Sequence, residues 1–593
     1  MKSVHRALLP LLALFLAGTA GVLQAGGISP ELQAHLAGLS PRDTVPVIIR
    51  FASSVVLEPP PANRAELRRH RQELLVKLRQ QAETAQVPLL SYLSQARIQS
   101  SRSLWISNSL AVQVPAWRVA EIAAQPGVDW VGLDSVVSLG SSEPAEISPV
   151  GWNLAVLHVP ELREMGIDGQ GVVVACLDTG VDGLHADLGP RYRGGTNSWF
   201  DPHNQHASPH DANGHGTQVM GLVLGGDASG TTIGVAPGAR WIAAKIFADN
   251  GQASLSDIHL SFQWVLDPDG TVTTDDAPDI VNNSWDLLGS TNLCLDEFHA
   301  DLAALRSAGI AVVFAAGNDG PGPETSLSPA NDGSVFPVGS LTEGITVALS
   351  SSRGPSACTG LVYPDAVAPG VNVLTADLSF GGLFPRATTT VSGTSFAAPM
   401  VSGVLALLRG AFPEAGVESL LDVLRQSAED LGTAGPDNDY GYGLIDALQA
   451  YVLLLNETQG ADRDHDGYFT GSGSLADCND SDASIHPNAA EVKHDGIDQD
   501  CNGWDLTIDI LQAVYRPAKD TLSVSATSAL LVSGAIKGSG LTLAGYGKMT
   551  RRVAKGQVWW EITVKRAGGD PGAVTVSGVE GAASAPTTTQ TKR

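Results

Sequence analysis

Three polar residues, each at the edge of an apolar run, have the types needed for acyl transfer: a carboxylate at Asp178, an imidazole at His215 and a hydroxyl at Ser395. A serine oxygen is a weak nucleophile until a base takes its proton, and imidazole has the proton affinity for that task near neutral pH. A carboxylate bonded to the far ring nitrogen fixes the tautomer and stabilises the charged ring. Each residue alone has a plainer reading. Asp178 in DTG reads as a turn aspartate, His215 in NGHGTQVMGLV as a structural histidine, and Ser395 in VSGTSFAAPM as a helix cap.

The elements that must position them are legible as a pattern. GVVVACLDTG, ARWIAAKIF, PDIVNNSW and GIAVVFAAGN are short runs of strands buried on both faces, separated by helical stretches. That alternation predicts a parallel sheet wrapped by helices between about Trp152 and Ala450. Reactive groups in such a sheet gather at the carboxyl ends of the strands. Asp178 and Asn318 both follow strand runs. Gly214 and Gly216 let the backbone around His215 pass close to a substrate, and Ser395 sits where a loop turns into an apolar helix. Free N–H groups at such a helix start can hold a developing oxyanion.

In this order the segments resemble the subtilisin family of serine peptidases over roughly residues 150–450, and the NNSW wording is similar to the bacillopeptidase branch. The resemblance implies Ser395 as nucleophile, His215 as general base and acid, Asp178 as the orienting carboxylate, and Asn318 with the Ser395 N–H as the oxyanion hole. In subtilisin itself, losing the asparagine donor costs ~2.7–4 kcal/mol of transition-state stabilisation. SSRGP, DAVAPGVNV and YGYGLIDA are further family-like phrases without chemistry of their own. Ser284, Trp285 and Asp286 would line the pocket for the side chain before the scissile bond. Asp286 stands where that pattern has Gly, which raises a preference for Lys or Arg there; a solvent-facing turn aspartate is the equal alternative. Gln218 and Met400 also depart from the family pattern, and neither reacts.

Composition bounds the rest. Against 36 Lys plus Arg stand 62 Asp plus Glu, a net charge of −26, with no cationic stripe to displace the counterions of a nucleic acid. Residues 1–25 read as an export signal, since Lys2 and Arg6 precede an apolar run that ends in small residues. No later segment is expected to span a membrane. The product is expected outside the cell or at its surface, where disulfides persist. Cys478 and Cys501 bracket an acidic segment as a pair, Cys294 with Cys358 stays open, and Cys176 is the odd, buried thiol. Residues 27–140 read as a small α+β module with a long helix from Arg64 to Ala85. The module resembles the family's inhibitory propeptide, and a Gly/Ser/Pro-rich linker suited to cleavage follows it; an independent binding domain is the alternative.

The catalytic unit is placed at 150–455, an Asp-rich segment at 460–505, a β-sandwich at 506–580 and a disordered tail at 581–593. Asp462, Asp464 and Asp466 resemble the start of an EF-hand loop, with Gly473 where its closing Glu belongs. With Asp477, Asp480, Asp482, Asp495, Asp498 and Asp500 they resemble the Asp-rich metal-binding motif of exported bacterial proteins, which implies calcium. A solvated acidic linker is the plainer reading. No cofactor is expected for the chemistry. The expected function is a secreted serine endopeptidase, made as an autoprocessed precursor, acting on protein or peptide substrates with its own propeptide as inhibitor. The alternatives are a surface binding protein with this core as scaffold, and an esterase using the same acyl chemistry.

Overall fold

The computed structural model describes residues 26–61, 64–98, 100–140, 151–459, 469–470, 476–487, 489–501, 503–533, 540–579 and 581–590. The signal at 1–25 and most of the linker, 141–150, lie outside the described residues. The chain forms two compact units, Met1–Tyr451 and Val452–Arg593.

The first unit is built on a seven-stranded sheet whose registered pairs are all parallel. In chain order its strands are β1 (Val173–Asp178), β2 (Trp199–Phe200), β3 (Arg240–Lys245), β4 (Ile280–Asn283), β5 (Ala311–Ala315), β6 (Phe336–Leu341) and β7 (Ala366–Pro369). They lie side by side as β7-β6-β5-β4-β1-β3-β2. Alternate residues of a strand face opposite ways. Ala175, Leu177, Ile242, Ala244, Val281, Val312 and Phe314 share one core with Ile258 and Phe262 of helix α2 (Leu255–Leu266) and with Leu302 and Leu305 of α3 (His299–Ser307). Two further helices, α1 (His215–Leu224) and α4 (Thr394–Ala411), pack against each other, and α4 lies along β4 to β7. By length and composition α4 could cross a membrane, contrary to the expectation that no later segment could. Its apolarity has another cause: nearly all its residues are buried against the sheet and α1.

The amino-terminal part of this unit carries its own five-stranded sheet, in which Thr44–Phe51 pairs antiparallel with Ser109–Pro115 and Val128–Leu133. Its long helix runs Arg64–Gln95, past the expected end at Ala85 and through Pro88. Burial of Leu89 and Leu93 in the sheet's core offsets the hydrogen bond that Pro88 removes. Arginines of this part reach carboxylates of the sheet's helices and loops: Arg102 to Asp257 at 2.6 Å, Arg71 to Asp275 at 3.0 Å and Arg50 to Glu297 at 2.6 Å.

The second unit holds the acidic segment and two sheets, of five and four strands, around a shared core of Leu522, Val524, Leu543, Trp560 and Val576. The expected disordered tail is corrected over its described residues. Gly581–Pro586 pairs with Ala573–Gly578, Thr588–Thr589 pairs with the strand Ile508–Arg516, and Ala583 is buried. A strand of small residues throughout, GAASAP, fits the sheet edge, which composition alone did not reveal. Both disulfides form, Cys294–Cys358 and Cys478–Cys501, and Cys176 is the buried free thiol in β1.

Candidate active site

Asp178 ends β1 and His215 begins α1, and they meet because two glycines allow it. A Cβ on Gly216 would lie 2.1 Å from the Gly180 carbonyl oxygen, and one on Gly180 would lie 2.0 Å from that of His210. With neither present, His215 Nδ1 stands 2.8 Å from Asp178 Oδ1. The Gly216 N–H donates to Thr179 Oγ1 at 2.9 Å, and the buried Lys245 ammonium donates to the Thr179 carbonyl at 2.8 Å. Asp211 accepts from the N–H groups of Asn213, Gly214 and Thr217, which ties the loop before His215 to the first turn of α1. Burial disfavours a charged imidazole here, but the Asp178 carboxylate and, beyond it, Asp211 outweigh burial and hold the His215 pKa above its ordinary value. Among the described residues His215 Nε2 has no hydrogen-bond partner.

Ser395 is the second residue of α4, so its N–H has no acceptor within the helix. Its Oγ donates to the Ser284 carbonyl at 3.2 Å, and Ser284 Oγ donates in return to the Ser395 carbonyl at 2.7 Å. This exchange locks the end of β4 to the start of α4. The hydroxyl therefore rests on a backbone carbonyl rather than on His215; the ring of His215 lies 5.4 Å from that of Phe396, the next residue. Asn318 follows β5, and its Oδ1 accepts from both the N–H and the Oγ1 of Thr394 at 3.0 Å. With the oxygen so occupied, Nδ2 is the donor left to the cleft.

Of the three residues expected to line the substrate pocket, Ser284 touches Ser395 as described. The Trp285 side chain is 3% exposed and packs edge-on against Phe298 and Phe314. Its indole lies in the core, which corrects the expected place of this side chain as pocket lining. Asp286 is half-buried, with no hydrogen bond to its carboxylate among the described residues. Burial, then the neighbouring Asp319, pushes its pKa up to about 6.

The nine expected metal ligands separate. Asp462, Asp464 and Asp466 lie outside the described residues. Asp498 and Asp500 converge with Glu491, which sequence reading missed, to within 4.8 Å. Asp482 and Asp495 instead close local turns, accepting from the N–H groups of Ser484 and Ile497. Asp477 and Asp480 are buried, and Asp477 lies beside the Cys478–Cys501 disulfide. An all-carboxylate set such as Glu491, Asp498 and Asp500 has the hard oxygen donors that suit calcium.

Sequence reading also missed Lys245, Asp211, Thr179 and Thr394. The only available signals were their places at a strand end or within one to four residues of Asp178, His215 or Ser395.

Comparison with known proteins agrees with this architecture. Residues 169–443 match the Subtilase family, and residues 477–505 match a metal-binding motif. The chain is 30% identical to Bacillopeptidase F of Bacillus subtilis (strain 168) over 84% of its own length, spanning about a third (34%) of that protein. It is 33% identical to Serine protease AprX of the same organism, covering 49% of this chain and 69% of that one. It is likewise 33% identical to Subtilisin Savinase of Lederbergia lenta, over 51% of this chain and 98% of that enzyme. With the parallel sheet, the matched domain and nearly the whole of a subtilisin aligned, the chain belongs to the subtilase family, the subtilisin-like serine endopeptidases.

Proposed function

We propose that the chain is a secreted serine endopeptidase that hydrolyses peptide bonds through an acyl-enzyme on Ser395. The observation that carries this is the buried 2.8 Å bond from His215 Nδ1 to Asp178, which leaves Nε2 free beside the serine helix. As substrate enters, Ser395 Oγ leaves the Ser284 carbonyl, gives its proton to His215 Nε2 and attacks the peptide carbonyl carbon. The oxyanion forms between Asn318 Nδ2 and the Ser395 N–H. His215 returns the proton to the departing amine. Water, deprotonated by the same nitrogen, then releases the acid and restores the serine.

The amino-terminal part acts as an inhibitor on this reading, in a precursor that processes itself. Its last strand, Val136–Ser138, adds antiparallel to Gln252–Ser254, and the Leu139 N–H continues the pairing to the Gly251 carbonyl at 3.3 Å. Asp134 accepts from the Ser256 N–H and Oγ at the start of α2. Adding a strand to an open edge is how extended peptides dock, so the chain's own segment takes the place of a substrate. Export is supported by the basic-then-apolar start of the sequence and by the two disulfides.

Asp286 biases the pocket toward Lys or Arg before the cut, because a cation supplies the partner its carboxylate lacks. Peptides with Arg before the cut are therefore expected to show a higher kcat/KM than those with Leu or Phe. The ratio is expected to grow as pH rises through about 6, where Asp286 becomes charged. Asp286→Gly is expected to erase it. Absence of any peptide turnover, or turnover of esters alone, overturns the peptidase reading; an unchanged ratio in the variant overturns only the role of Asp286.

Calcium is the proposed occupant of the acidic segment, held by Glu491, Asp498 and Asp500. Calorimetric titration of the full chain is expected to show calcium binding that Asp498→Asn weakens; silence at millimolar calcium favours a solvated acidic linker.

A further inference from the structure

The loop between β2 and α1 carries His206 and His210, and Asp249 comes from the turn after β3. The two imidazoles stack with ring centroids 3.8 Å apart. His206 Nε2 lies 2.9 Å from Asp249 Oδ2, and one donor atom from each of the three residues falls within 4.8 Å of the others. The backbones of His206 and Asp249 are pinned. The His206 N–H donates to Asp201 Oδ2 at 2.7 Å, its carbonyl accepts from Trp199 Nε1 at 2.9 Å, and the Asp249 N–H donates to Gln205 Oε1 at 3.0 Å. The His210 ring nitrogens have no hydrogen-bond partner among the described residues. A pinned backbone with two stacked imidazoles, one unpartnered, beside a carboxylate is more than a chance surface cluster requires.

From this we infer that His206, His210 and Asp249 form a site for a zinc-class divalent cation, separate from the acidic segment. Two imidazole nitrogens and one carboxylate oxygen are the mixed donors that zinc takes, whereas calcium needs six to eight oxygens. A tetrahedral ion ~2.0–2.2 Å from each ligand sets donor atoms about 3.3 Å apart, within reach of small side-chain rotations from the spacing found. Water can fill the fourth position. The Lys245 ammonium, 3.2 Å from Asp249 Oδ1, opposes the cation's charge, but Oδ2 faces His206 and Lys245 keeps the Thr179 carbonyl as a second partner. The site joins the end of β3 to the loop that runs into Asp211 and His215. Its occupation is expected to stiffen the approach to the imidazole, not to enter the reaction.

The test uses the full chain carrying Ser395→Ala, to prevent self-digestion, in saturating calcium so that oxygen-only sites are filled. Zinc titrated by calorimetry is expected to bind once at this loop and to raise the Tm. His210→Ala, and separately His206→Ala, is expected to weaken that event at least tenfold and to abolish the Tm gain, while His210→Ala leaves the zinc-free Tm at the parent value because the ring is exposed. No zinc binding, or an isotherm that both substitutions leave unchanged, overturns the inference. Binding of cobalt with the intense visible absorption of a tetrahedral site, lost in the same variants, is the second supporting readout.

Discussion

With Ser395 replaced by Ala, peptide hydrolysis by the full chain is expected to fall by ~10⁶-fold, the order of loss measured for nucleophile removal in subtilisin. The chain is also expected to remain an uncut precursor. The substitution deletes one oxygen from the second position of α4 and leaves Asn318 held by Thr394. The proposed oxyanion donors are therefore expected to survive, leaving a residual ~10³–10⁴-fold acceleration over water. Loss of the hydroxyl also removes one of the two bonds that tie Ser284 to Ser395; the other, from Ser284 Oγ, remains. Substrate turnover and amino-terminal sequencing of the accumulated protein read the two effects separately. Normal trimming of the variant would assign processing to another protease, and retained turnover would remove Ser395 from the chemistry.

Asp178→Asn is expected to lower kcat by ~10⁴-fold, through the tautomer and orientation of the imidazole rather than through packing. The amide keeps the shape of the carboxylate but presents no second acceptor of equal strength to His215 Nδ1. The pH profile distinguishes this from general damage. In the parent protein the Asp178 charge outweighs burial and raises the His215 pKa, so the acid limb of activity, which requires neutral imidazole, is expected to be shifted up from the ordinary histidine value. Without that charge burial gains ground, the imidazole is neutral at lower pH, and the acid limb of the residual activity moves down. The buried Asp211 carboxylate remains and limits the movement. A variant with lower activity but an unmoved acid limb would contradict this account of the base.

The catalytic fold was legible because its strands are buried on both faces and read as unbroken apolar runs. Asp178, Asn318 and Ser284 could be placed at strand ends for the same reason. The residues that tune the site were not legible. Lys245 looks like any lysine that closes a strand, and only the sheet order, with β3 beside β1, brings its ammonium to the Thr179 carbonyl. Glu491 joins Asp498 and Asp500 through a fold of the acidic segment that spacing does not encode. Trp285 was misread because a tryptophan at a strand end gives no sign of which way it turns. Contact with Phe298 and Phe314, from elsewhere in the chain, draws the indole into the core. The closing strands from Gly581 onward escaped notice because their small and polar residues carry no alternating hydrophobic signal.

On the proposed function, a base at His215, oriented by Asp178, activates the Ser395 oxygen beside the oxyanion donors. Labelling the purified chain with an organophosphonate, then digesting it and locating the adduct by mass spectrometry, tests this most directly. A single adduct is expected on the Ser395 hydroxyl, forming rapidly in the parent protein and suppressed in His215→Ala. An adduct on another residue, or labelling of Ser395 at the parent rate without the imidazole, would contradict it.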